Sequence, residues 1–385
     1  MPDIHARLSA SSALRWLNCP PSVALTAAMP DTSSEYAAEG TLAHKLAELK
    51  LRKKFELMSK RVYSMLLEKI TSDPLYQKEM DTHTTTYLDE VVYTAHSYKS
   101  IKPYVAIERQ VDYSGVAPEG FGTCDCIMIC GDDLHIFDFK YGKGVPVSPD
   151  ENPQLMLYAI GALQEYALLY APTNAVLHIV QPRISNTASW TISTADLTAW
   201  GNKVKPTAQL AYTGGGEYKS GKWCRFCKAS AACRKRTEEM FAAASETPTP
   251  AALMTDAELG AVLEKADDIS HWAKSLQDYA LSEILAGRKI DGWKAVEGRS
   301  NRAIQDLDAA FDKLRAAGYA DALLYERKPL TLTQLEDMIT APKLSELIGD
   351  HIRKPRGKPA LAPASDKRKD YTDTAVADMF GDENK

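Results

Sequence analysis

The chain has 385 residues, 45% apolar and 25% charged, with a net charge of -5. That balance describes a folded protein with room for roughly two or three domains, and it excludes both a disordered chain and a globally basic nucleic-acid binder. No apolar run reaches the roughly 18 residues of a membrane span, and the opening Met1-Pro-Asp-Ile-His-Ala-Arg7 lacks the apolar stretch of a secretory signal.

A cytosolic location without a membrane partner is therefore expected. In a reducing compartment, seven cysteines read as metal ligands or buried thiols rather than as disulfides.

Residues 1–100 read mostly as helix. Leu42, Leu46 and Leu49 recur at helical spacing across residues 37–51, with His44 inside the run. Strand character follows. Residues 105–111 alternate around charges, Cys126-Ile-Met-Ile-Cys130 is short and β-rich, and residues 134–140 alternate again after the turn signal Gly131-Asp-Asp133.

Pro153 suits the first turn of a helix whose buried stripe is Leu157, Ile160 and Leu163. Residues 175–180 read as a further buried strand. Helix, three antiparallel strands, helix and strand make an α/β core with a mixed central sheet flanked by helices.

Gly214-Gly-Gly216 breaks the chain before a cysteine group, and residues 246–250 read as a linker. Thr255-x-x-Glu258 is a capping box opening a long helix. Its expected apolar face is Leu259, Val262, Ala266, Ile269, Ala273, Leu276, Ala280 and Ile284. A mainly helical accessory domain is expected over 251–352, and a tail rich in Pro, Lys and Asp over 353–385.

Two sets of residues carry chemistry. Asp125 lies on the second strand, and Asp138 and Lys140 stand two apart on the third, so the last two share a sheet face. Strands about 4.8 Å apart let Asp125 and Asp138 share one cation. Such oxygen ligands suit Mg²⁺ or Mn²⁺. Lys140 could then orient a water or offset charge on a phosphate, and His44 offers a ring nitrogen.

The second set is Cys224, Cys227 and Cys233 in a C-x2-C-x5-C group, which needs a fourth ligand. Its thiolates suit zinc or an iron–sulfur cluster, and the spacing alone leaves both open. Lys222, Arg225, Lys228, Arg234, Lys235 and Arg236 make this segment basic, a phosphate-contacting patch or a solvated face. Cys124, Cys126 and Cys130 alternate along or end the second strand and are expected to be buried thiols.

In order, Gly40-Thr-Leu-Ala-His44, Gly122-Thr-Cys-Asp125, Asp138-Phe-Lys140 and Gln154-Leu-Met-Leu-Tyr158 resemble the motifs of the RecB-like branch of the PD-(D/E)XK nuclease superfamily. The resemblance implies a restriction-endonuclease-like core over 1–245. It implies His44, Asp125, Asp138 and the backbone carbonyl of Phe139 as metal ligands, and Asp125, Asp138 and Lys140 as the catalytic set. Gln154 and Tyr158 would contact DNA, and Glu108 resembles a strand acid that precedes the G-x-x-D motif. Asp138 departs from the branch, where many relatives carry Glu.

A distant Cys19 with the C-x2-C-x5-C group resembles the iron–sulfur subset, which includes the AddB helicase–nuclease subunit and the CRISPR adaptation nuclease. That implies Cys19, Cys224, Cys227 and Cys233 around a [4Fe–4S] cluster. The staple would close a loop of about 200 residues.

Ile290-Asp-Gly-Trp-Lys-Ala-Val-Glu-Gly-Arg-Ser-Asn-Arg302 and the segment 357–368 resemble an uncharacterised phage and prophage family. The implied protein is a Mg- or Mn-dependent DNA exonuclease working on single-stranded or duplex ends in phage recombination or replication, in the bacterial host cytosol. Its implied partners are a phage single-strand annealing or binding protein, or a helicase. Arg353, Lys354, Arg356 and Lys358 are candidate DNA contacts, and residues 377–383 a candidate docking tip. The competing expectation is a catalytically silent nucleic-acid-binding scaffold that retains the fold and the cluster.

Overall fold

The computed structural model describes residues 6–29, 35–99, 101–245 and 254–295. Two short helices, α1 (Ala13–Asn18) and α2 (Ser22–Thr26), precede three longer ones: α3 (Glu35–Phe55), α4 (Lys60–Thr71) and α5 (Lys78–Ser97). Three strands follow, β1 (Tyr104–Asp112), β2 (Phe121–Cys130) and β3 (Asp133–Phe139). Helix α6 (Pro153–Tyr166) leads to β4 (Asn174–Gln181), β5 (Asn186–Ser193) and α7 (Thr194–Thr213). After a 3₁₀ turn over Lys222–Phe226 come α8 (Arg234–Ser245) and α9 (Asp256–Leu285).

The five strands form one mixed sheet in sequence order. Only β3 and β4 pair in parallel, and α6 is the crossover that such a pair requires. The other neighbours are antiparallel. Helices cover both faces, which explains why β3, β4 and the second half of β2 are buried almost throughout.

One face packs against α1, α6 and α7 through Trp16, Leu155, Ala159 and Leu197. The other packs against α3 and α5 through Leu46, Leu51, Tyr87 and Val91. The predicted strands and both predicted core helices are present. Strand β5 and helix α7 were not anticipated.

Side-chain alternation breaks at one place. Ile107 and Cys126 join the α3/α5 core, while Val111 and Cys124 join the α6 core. Pairing nevertheless stays in register on both sides, Ile107 with Cys126 and Arg109 with Cys124. Both strands therefore switch faces at the Glu108/Asp125 position. Glu108 adopts a left-handed backbone there, with φ of 49°. The switch sends Cys124 and Cys126 to opposite faces, and both are buried as expected.

At the C-terminal end of the described chain, the Thr255–Glu258 capping box is present. The stripe expected along α9 is not buried: Leu259, Val262 and Leu276 are exposed, and Trp272 is the helix's one buried residue. The helix instead meets α8 and the cysteine segment through Arg236–Asp268, Lys222–Glu264 and an edge contact of Trp272 with Phe241. The expected linker 246–250, the accessory segment from 296 to 352, the basic run 353–358 and the tail lie outside the described residues.

Candidate functional site

The face switch builds the site. Pairing of β2 with β3 runs from Cys130–Asp133 to Cys126–Phe137. One step beyond, Asp125 turns its carboxylate onto the β3 backbone, and Phe139 N–H donates to Asp125 Oδ2 at 2.7 Å. The other oxygen, Oδ1, lies 3.4 Å from His44 Nδ1 on α3. Ligand atoms of His44, Glu108 and Asp125 all lie within 4.8 Å of one another. The ring of Phe139 underpins the group, 5.2 Å from His44 and stacked on Tyr87 at 4.9 Å.

Asp138 and Lys140 share a face as their spacing required. Lys140 Nζ lies 2.8 Å from Asp138 Oδ2 and donates to Oδ1 at 3.1 Å. Gln154, at the start of α6, donates to Asp138 Oδ1 at 3.1 Å and accepts from Lys140 at 3.3 Å. Asn152 caps that helix by accepting from Gln154 and Leu155 N–H, which fixes where Gln154 begins its turn.

Tyr158 lies one turn on, 7% exposed, with its hydroxyl 3.4 Å from Gln154 Nε2. The ring expected to touch DNA thus backs Gln154 from inside the core. Gly122 makes room for it: a Cβ there would meet Tyr158 Cε1 at 2.9 Å. The glycine and the tyrosine of two separate motifs are one packing unit.

The electrostatics are those of a site with surplus negative charge. Burial opposes charging of His44, but Asp125, Asp138 and Glu108 outweigh it and push the imidazole up to about 9. Burial, reinforced by Asp125, pushes Glu108 up to about 8 despite His44. Asp138 is raised by burial and by Asp125, against the pull of Lys140. Asp125 is held below the usual range: burial raises it, but His44, the Phe139 N–H and Lys140 prevail. Burial would lower Lys140, yet Asp138 holds it up, so its ammonium stays charged.

The donor set therefore fits a hard divalent cation. Oxygens and one imidazole converge, and Asp138 Oδ2 is buried with no well-aligned hydrogen bond although the ammonium is near.

An unforeseen cluster braces the same end of the sheet. Arg183, just after β4, pairs with Glu39 of α3 at 3.2 Å and Glu79 of α5 at 2.5 Å. Its guanidinium lies 4.5 Å over the ring of Tyr141, which follows Lys140. These partners are up to 144 residues apart. No local sequence pattern could reveal them.

The four expected cysteines converge. Cys19, Cys224, Cys227 and Cys233 line one small cavity with Arg15, Ser22, Trp223 and Lys235. All four thiols are free. Burial raises the Cys227 thiol, while the nearby Arg15 guanidinium works against the rise. Trp223 stands at the cavity, whereas Trp16 is buried in the core with its indole N–H on Ser9 O at 3.1 Å.

Of the basic residues in this segment, Lys222 pairs with Glu264 at 2.9 Å, Arg225 meets His271 at 3.1 Å, and Arg236 pairs with Asp268. Arg234 is exposed. Much of the expected phosphate-contacting patch is thus engaged by the acidic side of α9.

A family model described as "Protein of unknown function (DUF2800)" matches residues 5–369. Among solved structures, one titled "Crystal structure of SSO0001" aligns at 16% identity and a TM-score of 0.25, covering 59% of this chain and 86% of that one.

Proposed function

The chain belongs to the DUF2800 family, and we propose that it is a metal-dependent DNA nuclease of the RecB-like PD-(D/E)XK type, stapled by an iron–sulfur cluster. The observation that carries this reading is the meeting of four motif segments, distant in sequence, at one point. His44, Asp125 and Glu108 come together there beside the Asp138–Lys140–Gln154 set.

In this reading His44, Asp125, Asp138 and the Phe139 backbone carbonyl hold the ion, with Glu108 beside them. A bound Mg²⁺ or Mn²⁺ would polarise the phosphodiester and lower the pKa of a water. Lys140 is kept cationic by Asp138, so it serves as a charged donor to the attacking water or to developing negative charge rather than as a base. Gln154 holds Lys140 and Asp138 in place, and Tyr158 holds Gln154.

The choice of a [4Fe–4S] cluster over zinc rests on the resemblance of Cys19 and the C-x2-C-x5-C group to the iron–sulfur subset, and the convergence of the four cysteines on one cavity suits either metal. Held by Cys19 and the C-x2-C-x5-C group, the cluster would tie α1 to the segment after the sheet.

Exonuclease action on DNA ends, phage recombination as the setting, and an annealing protein or helicase as partner remain parts of the proposal that rest on the sequence resemblance. Digestion of end-labelled DNA tests the core of it. Cleavage should require Mg²⁺ or Mn²⁺ and vanish in folded Asp138→Ala and Lys140→Ala. Metal-dependent cleavage at full rate in both variants would refute the assigned site.

A further inference from the structure

Beyond His44, the α3–α4 hairpin takes no part in the site just described, yet it is chemically distinctive. Residues 45–69 carry eight cations and three carboxylates in a chain whose net charge is -5. Three of the cations are engaged: Lys50 with Asp81, Arg52 with Glu48 and Glu56, and Lys53 over the Tyr63 ring. Lys45, Lys54, Lys60, Arg61 and Lys69 are exposed and make no ion pair among the described residues.

Helix α4 buries none of its residues. Its inner row, Tyr63, Leu66, Leu67 and Ile70, is half-buried. On its outer side Arg61, Met65 and Lys69 follow at four-residue steps, with Val62 three before Met65, so these four share one exposed face. Met65 and Val62 are exposed there, and Leu57 at the turn is fully exposed. Cations and aliphatic groups thus interleave on one surface, where Glu68 is the one carboxylate among them.

We infer that this hairpin is a binding surface for the duplex DNA that leads into the site, an inference that rests on the nuclease reading only for where the duplex ends. Interleaved Lys and Arg suit phosphates, and aliphatic side chains suit sugars or an opened base step. A membrane surface would call for a continuous apolar face with the cations opposite it. A single strand would call for aromatic stacking platforms, and this face offers Leu57, Val62 and Met65 instead. In a net acidic chain, phosphate attraction depends on local basic patches, and this hairpin is one.

Continuity supplies the path. His44 sits on α3, and the helix runs 11 residues further, to Phe55. At 1.5 Å per residue that is about 17 Å, or about five base-pair steps.

The test uses the full chain with Ca²⁺ in place of Mg²⁺, and two variants: Lys60→Gln/Arg61→Gln/Lys69→Gln and Leu57→Ser/Met65→Ser. A short tailed duplex is compared with a single strand of the same length. The charge variant should bind the duplex about tenfold or more weakly, with the slope of log affinity on log salt reduced by about 2.7, at about 0.9 per phosphate contact. The aliphatic variant should lose duplex affinity with its salt slope unchanged. Single-strand binding should stay as it was in both.

Unchanged duplex affinity, or equal loss on the single strand, overturns the inference. So does loss of phosphatidylserine-vesicle binding or of self-association with duplex affinity intact, which assigns the surface to a membrane or a second copy. Mn²⁺-dependent hydrolysis of bis(p-nitrophenyl) phosphate reports on the site separately. If the wild type fails it, the nuclease reading fails, while the duplex comparison still decides the hairpin.

Discussion

Glu108 shows how the site is made at the level of single residues. A non-glycine residue in left-handed backbone is costly, of the order of 1–3 kcal/mol, and persists only where the surroundings over-determine it. Here it allows two paired strands to change faces together and sets a carboxylate against Asp125 and His44. Asp138, Lys140 and His44 were legible from motif order. The conformation of Glu108 was not, because nothing in Ile107-Glu-Arg109 marks it.

A pH prediction follows from the same residues. His44 rises from an ordinary 6.5 to about 9, so its contribution to stability is full below pH 6.5 and is lost as pH climbs through 9. Glu108 rises from 4.5 to about 8; the fold prefers its neutral form, and that preference becomes a penalty across the interval from 4.5 to 8. Both effects weaken the metal-free protein as pH increases. A cation replaces those protons. Millimolar Mg²⁺ should therefore raise the Tm more at pH 9 than at pH 6, and His44→Ala should reduce that difference. A Mg²⁺ effect independent of pH would contradict this description of the charges.

At the level of elements, motif residues that looked separate act together. Gly122 on β2 and Tyr158 on α6 pack so closely that a Cβ on the former would overlap the ring of the latter. Gly122→Ala should cost about 1–3 kcal/mol in thermal unfolding, as overpacking does. Tyr158→Leu removes the obstacle, so the double variant should lose less than the sum of the singles. Strict additivity would show that the two do not share the strain.

The legible elements were those with strong apolar patterns: β1 to β4, α3 and α6. Strand β5 was missed although Ala188, Trp190 and Ile192 alternate with polar residues over Asn186–Ser193, a pattern that marks a half-buried strand. Helix α7 was missed because Pro206 lies inside it. Neither the Arg183 brace nor the buried His135–His178 contact, 3.0 Å between ring nitrogens, leaves a local trace. Both depend on residues brought together by the sheet.

For the whole molecule, the proposed reading gives the two candidate metal sites different duties. The cysteine cavity joins Cys19 to a segment about 200 residues later, where a cross-link constrains the unfolded chain most. Anaerobically purified protein should be brown, with a broad visible absorbance. Cys19→Ala should lose iron content and several degrees of Tm first, with cleavage falling only as the folded fraction falls. A colourless wild type with stoichiometric zinc, or full iron in the variant, would contradict the staple.

At the other site, Mn²⁺ binding is measured beside cleavage of end-labelled DNA in the wild type and Lys140→Ala. The wild type should cleave only with the metal. The variant should still bind Mn²⁺ but cleave at least a hundredfold more slowly, the scale expected for losing a charge-stabilising donor. A wild type that binds Mn²⁺ and DNA yet cleaves neither strand, or a Lys140→Ala variant as active as its parent, would contradict the nuclease reading.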